Sequence, residues 1–176
     1  MVNRIEIVNG DEGWGLASHL LGAVWPPEVV AALPWKDVVW AHADRRVLTI
    51  NCQNDVIGHA GLFLRNATLA ARSVKIGGIG GVATHFGCRG QGIASEVMRE
   101  AVRELRDTHE VDFGLLFCEP RHAPLYRRLG WRSFEGEVFV DQPGQERVRF
   151  CITDPFVFDL KIAPRSGILD LCGLPW

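Results

Sequence analysis

A glycine-rich segment between a predicted strand and a predicted helix carries the strongest chemical signal in the sequence. Arg89, Gly90 and Gly92 stand in the turn between these two elements. Glycine lets a chain turn tightly and lets a ligand approach the backbone, and the first amides of a helix have no partners within it. With the helix dipole, these amides form a site for an anion such as a pyrophosphate. Arg89 can add a charge-assisted contact.

Two other phosphate-binding motifs do not fit this segment. A P-loop has Lys and then Ser or Thr after its last glycine, whereas Ile93 and Ala94 follow Gly92. A dinucleotide-binding Gly-x-Gly-x-x-Gly would have its third glycine at Ser95. Taken alone, the segment is also compatible with a turn that only joins a strand to a helix.

The segment resembles the pyrophosphate motif of the GNAT superfamily of N-acetyltransferases, which is Gln/Arg-x-x-Gly-x-Gly/Ala. A second signature follows at residues 123–131, where Ala-Pro-Leu-Tyr-Arg-Arg-Leu-Gly-Trp is similar to the family's Ala-x-x-Leu-Tyr-x-x-x-Gly-Phe/Trp. Two motifs in this order, with a predicted strand between them, are far more specific than either one. The resemblance covers residues 57–131 and implies acetyl-CoA as co-substrate.

The resemblance also implies a fold and a set of cofactor contacts. The GNAT fold is an α/β or α+β arrangement, in which a mixed central sheet splays at the acetyl-CoA site and carries helices on both faces. In this family the backbone of the splayed strand pairs with the pantetheine arm of acetyl-CoA. The implied contacts are Val82, Ala83, Thr84, Arg89, Gly90, Gln91, Gly92, Ile93, Ala94 and Ser95.

Tyr126 occupies the tyrosine position of the second signature. In the family this hydroxyl lies near the CoA sulfur and protonates the departing thiolate, which is general acid catalysis. A backbone N–H near Val82 and Ala83 should polarise the acetyl carbonyl. The alternative for Tyr126 is a ring that only packs and makes a local hydrogen bond.

The acceptor amine is indicated only by a weaker resemblance. The chain resembles the aminoglycoside 2'-N-acetyltransferases, which also end in tryptophan and use that terminal carboxylate in the substrate pocket; here the last residue is Trp176. Losing residues 175–176 should then chiefly raise KM for the acceptor. Trp176 could instead be an apolar anchor for the tail.

The same resemblance implies that the general base of those enzymes is absent from this chain. Those enzymes carry a glutamate two residues before the position of Val82, which acts through water, and this chain has Gly80 there. The base must then lie elsewhere or be water connected to bulk solvent, and Glu119 and His85 are the nearest candidates for the proton acceptor. Alternatively, Glu119 compensates a helix dipole and His85 is a loop histidine. The missing glutamate suggests an amino sugar of another shape, such as kasugamycin.

An amino-sugar antibiotic should meet aromatic faces and carboxylates. Trp35 and Asp37 lie close together in the sequence, and Glu146 flanks a late strand. Tryptophan faces bind cations and sugars, although core packing and solvated loops are the ordinary roles of such residues. Alternatives are another small amine, a protein N-terminus, or a non-catalytic acetyl-CoA-binding regulatory module. A homodimer is left open.

The hydrophobic pattern predicts the elements that position these motifs. Apolar residues recur at helical spacing over residues 90–106, and residues 112–118 form an apolar strand typical of a sheet centre. Strands are further predicted at residues 4–8, 46–51, 56–65, 74–84, 131–140, 147–153 and 156–162, and helices at 12–24, 28–33 and 120–129. Without a linker or an internal repeat, we expect one domain over residues 1–176.

Composition excludes several classes of protein. With 23% charged residues and a net charge of −2, the chain lacks the basic footprint of a nucleic-acid or anionic-membrane binder. Its five cysteines are scattered and contain no Cys-x-x-Cys pair, so neither disulfides nor a metal site is predicted and a cytoplasmic location is expected. Residues 1–10 contain no apolar stretch typical of a signal peptide.

Overall fold

The computed structural model describes residues 3–176, which form a curled mixed sheet with helices on both faces. No signal peptide is predicted in residues 1–10. The first two of these residues, Met1 and Val2, lie outside the described residues. The strands are β1 (Arg4–Asn9), β2 (Arg45–Ile50), β3 (Val56–Leu69), β4 (Arg72–Thr84), β5 (Phe113–Cys118), β6 (Arg132–Ser133), β7 (Glu137–Gln142), β8 (Gln145–Arg149), β9 (Asp154–Asp159) and β10 (Ile168–Asp170). The helices are α1 (Gly10–Val24), α2 (Pro27–Val30), α3 (Ile93–Asp107) and α4 (Ala123–Arg128).

The sheet is built around the long hairpin of β3 and β4. Its strand order is β6-β9-β5-β4-β3-β10-β7-β8, and β2 and β1 continue from the other end of β3. The β4–β5 and β10–β7 pairs are parallel. The predicted mixed sheet is therefore confirmed. Ala70 and Ala71 connect β3 to β4 with φ values of 47° and 65°, the left-handed pair that a two-residue hairpin turn requires.

The two long helices, α1 and α3, cover opposite faces of the sheet, and each buries residues against it. The stripe predicted on α3 is buried at Val97, Ala101 and Leu105, among other positions, and packs with α4 and the sheet in one core. On the other face, α1 packs Ala17 against Leu48 of β2. None of the helices in residues 3–176 combines the length and the apolar character needed to cross a membrane.

The C-terminal third departs most from the predicted pattern. The strand predicted at residues 131–140 is two strands, β6 and β7, and the segment between them includes Gly136, whose added Cβ would lie 2.1 Å from the carbonyl oxygen of Gly167. β10 was not predicted, because three residues carry too little pattern. It inserts between β3 and β7, and from there the tail crosses the face of the sheet opposite α3.

A second core fills that opposite face. It contains Phe63, Leu115, Phe150 and Trp176, together with residues of β7 and β10. The backbone of the tail is bound to its surroundings, since Ala41 N–H donates to Pro175 O at 2.7 Å. The tail is therefore part of the folded sheet and its core.

Candidate active site

The sheet opens where β4 separates from β5. The two strands pair only at residues 76–79 and 113–116, whereas β4 continues to Thr84. An extra residue of β4 opposite residues 59–61 of β3 makes a bulge, in which Gly81 has a φ of +59°. A bulge bends its strand and increases its twist. Beyond Ile79 one edge of the β4 backbone is therefore unpaired on the side of β5, and this gap between the ends of the two strands is called the cleft.

The residues along this open edge fit an extended ligand that carries amide groups. Val82 is half-buried and Ala83 is buried. The Oγ1 atom of Thr84 is also buried, and it has no hydrogen-bond partner in the described part of the chain. A buried hydroxyl without a partner is costly. Beyond Ile79, β5 does not pair with β4, so the backbone groups of this edge can pair with the amides of an extended ligand.

The turn after β4 is held by contacts within itself. The N–H of Gly87 donates to Nδ1 of His85 at 3.2 Å, and this contact caps a 3-10 turn at Phe86–Cys88. The Arg89 guanidinium lies 4.1 Å from the centre of the Phe86 ring. The Gln91 amide donates to Gly87 O at 3.4 Å. The loop is thus shaped before any ligand arrives.

The two glycines of the motif are required by backbone conformation. Gly90 and Gly92 have φ values of +78° and +83°, and nothing lies within 4 Å of a Cβ added at either position. Helix α3 therefore begins at Ile93 and not at residue 90 as predicted, since an α-helix cannot contain left-handed residues. Gly92 offers no side-chain cap, so the amides of the first turn point into open space beside the cleft.

Tyr126 lies on α4, which follows the end of β5 in the chain. It is 8% exposed and shares the main core with Cys118, the last residue of β5. Burial, with a smaller effect from Cys118, raises the pKa of the Tyr126 hydroxyl. Burial likewise raises the pKa of the Cys118 thiol to about 12. Both groups are therefore protonated at neutral pH, and Tyr126 can act as a proton donor.

The two predicted bases lie at the two turns that border the cleft, and both have partners. Glu119 forms an ion pair with Arg121 (Nε–Oε2 3.0 Å) and accepts a hydrogen bond from its Nη2 at 3.1 Å. His85 is exposed and uses Nδ1 in the cap. No sequence motif includes His122, which lies next to Arg121; its pKa is lowered by burial and then by Arg121, while Glu119 opposes this.

Trp176 lies on the opposite side of the sheet from α3, over the glycines of β4. Its ring is stacked on Phe63 at 5.6 Å between centres, and Nε1 donates to Leu115 O at 3.3 Å. A Cβ added to Gly78 would lie 2.2 Å from Cε2 of this ring. A Cβ added to Gly80 would lie 3.1 Å from the backbone carbon of Trp176. The glycine at position 80 therefore makes room for the tail.

The structure connects one further predicted substrate residue to Trp176. A row of aromatic contacts runs from Trp35 through Trp40 (5.8 Å), Phe150 (6.1 Å) and Phe117 (4.7 Å) to Trp176 (6.0 Å).

The two predicted carboxylates lie at the surface. Asp37 is an exposed neighbour of Trp35 that pairs with Lys36 at 2.6 Å. Glu146 is exposed on β8, and no described contact links it to the aromatic row. The structure thus brings Trp35 and Trp176 into one row and leaves Glu146 outside it.

A buried polar pair beneath the bulge was missed by the sequence analysis. Arg46 and His59 are 6% and 1% exposed. Arg46 Nη1 donates to His59 Nε2 at 2.9 Å, and His59 Nδ1 donates to Gly81 O at 2.6 Å. Burial lowers the pKa of His59 to about 4, so the imidazole is neutral at neutral pH. The signal in the sequence was a histidine within an otherwise apolar strand, which is too common to single out.

Comparison with known proteins identifies the family. The model of the acetyltransferase (GNAT) domain matches residues 11–134, well over half of the chain. The chain therefore belongs to the GNAT acetyltransferase family, whose acetyl donor is acetyl-CoA. The acetyltransferase class and the co-substrate predicted from the two motifs are thus confirmed.

One curated relative and several solved structures are similar to this chain. An aminoglycoside 2'-N-acetyltransferase from Mycolicibacterium fortuitum is 27% identical over 110 residues, which are 62% of this chain and about half (55%) of the relative. Escherichia coli ElaA has a TM-score of 0.63 at 12% identity, covering 90% of this chain and 100% of that chain. The E. coli GNAT family N-acetyltransferase YhbS, solved in complex with CoA, has a TM-score of 0.60 at 14% identity, covering 96% and 89%. At these identities the solved structures show the fold.

Proposed function

We propose that this acetyltransferase transfers an acetyl group from acetyl-CoA to an amino group of an aminoglycoside-type amino-sugar antibiotic, and thereby confers resistance. The observation that carries the choice of acceptor is the similarity to the M. fortuitum aminoglycoside 2'-N-acetyltransferase. A fold alone does not define an acceptor. The half-buried rings of Trp35 and Trp40, at the outer end of the aromatic row, are suited to contact an amino sugar.

In this proposal the donor lies in the cleft between β4 and β5. The turn at Arg89–Gly92 and the first amides of α3 hold the pyrophosphate, while the open edge of β4 at Val82–Thr84 holds the pantetheine arm. The side chain of Arg89 is exposed and has no ion pair among the described residues. It can therefore turn toward a phosphate without breaking a salt bridge.

Arg89→Ala should raise the Kd for acetyl-CoA about tenfold, because one charge-assisted contact to phosphate is lost. Isothermal titration calorimetry measures this directly, and acetyl-CoA should raise the Tm of the variant less than that of the wild type. Arg72→Ala is a matched control, since Arg72 is exposed at the far end of β4. Equal Kd values for the Arg89 variant and the wild type would remove Arg89 from the site.

The chemical step needs an oxyanion donor and an acid. The amine nitrogen attacks the thioester carbonyl, forming a C–N bond while the C–S bond breaks. A backbone N–H at Val82 or Ala83 stabilises the charge that develops on the carbonyl oxygen. Tyr126 then gives its proton to the departing thiolate.

The acceptor amine must also lose a proton, and Glu119 is our first candidate to receive it through water. Glu119→Gln should lower kcat about tenfold, because an amide cannot take the proton that the amine loses. The kcat with saturating acetyl-CoA is the measurement, with Glu135→Gln as the exposed control. An unchanged kcat would reject Glu119. The same measurement on His85→Gln then tests the second candidate.

The acceptor class is tested by incubating the purified protein and acetyl-CoA with separate panels of amines. The panels are 2-deoxystreptamine aminoglycosides, kasugamycin-type amino sugars, polyamines and peptides with free N-termini. Mass spectrometry should find a gain of one acetyl group on an amino sugar, with a higher kcat/KM than in the other panels. Acetylation confined to polyamines or peptides would overturn the acceptor. Acetyl-CoA binding without turnover of any amine would favour a regulatory module.

A further inference from the structure

The buried pair Arg46 and His59 bears on the donor site through one peptide unit of β4. We propose that His59 is a positioning residue, which holds the Gly81–Val82 peptide so that the Val82 N–H points at the thioester carbonyl of the donor. The inference rests on the proposed function in one respect, namely the use of the Val82 N–H during acetyl transfer.

Hydrogen-bond chemistry fixes where the single proton of His59 lies. A guanidinium can only donate, so Nε2 of His59 must accept from Arg46 Nη1. A carbonyl oxygen can only accept, so Nδ1 of His59 must carry its proton and donate to Gly81 O. Both ring nitrogens of the neutral imidazole are therefore satisfied, and the ring has no other tautomer that would keep both contacts.

The direction of the Val82 N–H follows from the geometry of the peptide bond and from strand pairing. Gly81 O and the Val82 N–H belong to one trans, planar unit, in which the two groups point in opposite directions. The N–H groups of an antiparallel strand point alternately to its two edges. The His85 N–H donates to Ile57 O of β3 at 2.9 Å, and Ala83 is paired with His59, so the Val82 N–H points away from β3, to the edge of β4 that β5 no longer covers. That is the cleft in which the donor is proposed to lie. The hydrogen bond from His59 to Gly81 O holds this peptide in place.

The other contacts of Arg46 explain why this arrangement is rigid. Arg46 Nε donates to Gly10 O at 2.8 Å, at the start of α1, and the guanidinium lies 5.1 Å from the Trp14 ring. Burial lowers the pKa of Arg46, and the charge of Asp11 opposes this effect. The positive charge of Arg46 also polarises the chain of hydrogen bonds through His59 to the peptide, which makes the Val82 N–H a stronger donor to an oxyanion.

Two spectroscopic readouts test the proposal without any acceptor amine. The first is the ¹H shift of the Val82 amide, and the second is the ¹³C shift of the carbonyl in bound [1-¹³C]acetyl-CoA. We expect donor binding to move the Val82 amide downfield in the wild type. In His59→Leu this movement and the carbonyl shift should fall to less than half. His59→Asn, which can donate to Gly81 O, should restore most of both, and His42→Leu, at an exposed histidine, should match the wild type.

Turnover gives a third readout with any amine that the wild type acetylates. His59→Leu should lower kcat about tenfold while the Kd for acetyl-CoA stays within about twofold, because the lost effect belongs to the transition state. A folded His59→Leu variant with wild-type shifts and kcat would overturn the proposal. If that variant does not fold, the ¹H shift of the Val82 amide in the wild type is the test. No change on addition of acetyl-CoA overturns the proposal, and a downfield change supports it. Because these shifts are measured without an acceptor amine, they stay the same even if the proposed acceptor class is wrong.

Discussion

Replacing Tyr126 by phenylalanine should lower kcat by roughly 10²-fold, the usual contribution of a general acid. The change removes only the hydroxyl, and the ring keeps its place in the core beside Cys118. Because burial raises the pKa of this hydroxyl, it stays protonated throughout the working pH range. Its loss should therefore lower kcat at every pH, and the Kd for acetyl-CoA should change little. Steady-state kinetics and calorimetry measure the two quantities.

The control for this variant is Arg128→Ala, an exposed change on the same helix, which should leave kcat within about twofold. Pre-steady-state kinetics should also be run, because slow product release can hide a loss in the chemical step. If Tyr126→Phe keeps the wild-type rate in a single turnover, water protonates the thiolate and Tyr126 is a packing residue.

Replacing Trp176 by alanine should lower the free energy of unfolding by about 3–5 kcal/mol, the usual cost of truncating a buried tryptophan. The ring is 6% exposed, stacks on Phe63, and fills the space above Gly78 that no side chain occupies. Urea denaturation followed by circular dichroism measures the change. Trp14→Ala is a control of the same residue type, and it should cost far less because Trp14 is 54% exposed.

This result bears on the expectation that losing residues 175–176 would chiefly raise KM for the acceptor. Since the Trp176 ring belongs to the second core, its loss should lower stability as well as disturb the face of β4. Trp176→Phe separates the two effects, because it keeps an aromatic ring and loses the hydrogen bond to Leu115 O, at about 1–2 kcal/mol. Equal stability of Trp176→Ala and the wild type would show that the ring does not anchor the tail.

The structural features that the sequence predicts correctly depend on residues close together in the chain. Gly90 and Gly92 mark a turn whose conformation depends on two residues, and α3 has a stripe that repeats along one stretch of chain. Both features are decided by neighbours in the sequence, so spacing alone reveals them. The start of α3 was misplaced by three residues, because the left-handed conformation of Gly92 excludes it from the helix.

The features that required the tertiary structure join residues that are distant in the chain. Gly80 looked like the loss of a base, and the structure places the backbone of Trp176 beside it, 96 positions later. His59 looked like one polar residue in a strand, and it joins Arg46 to Gly81. The sequence by itself determined the family and the glycine turn before α3, because each depends on residues within a short window. Only the folded sheet decided how the face of β4 opposite α3 is filled and which way the Val82 N–H points, because those depend on strand register and on packing between distant segments.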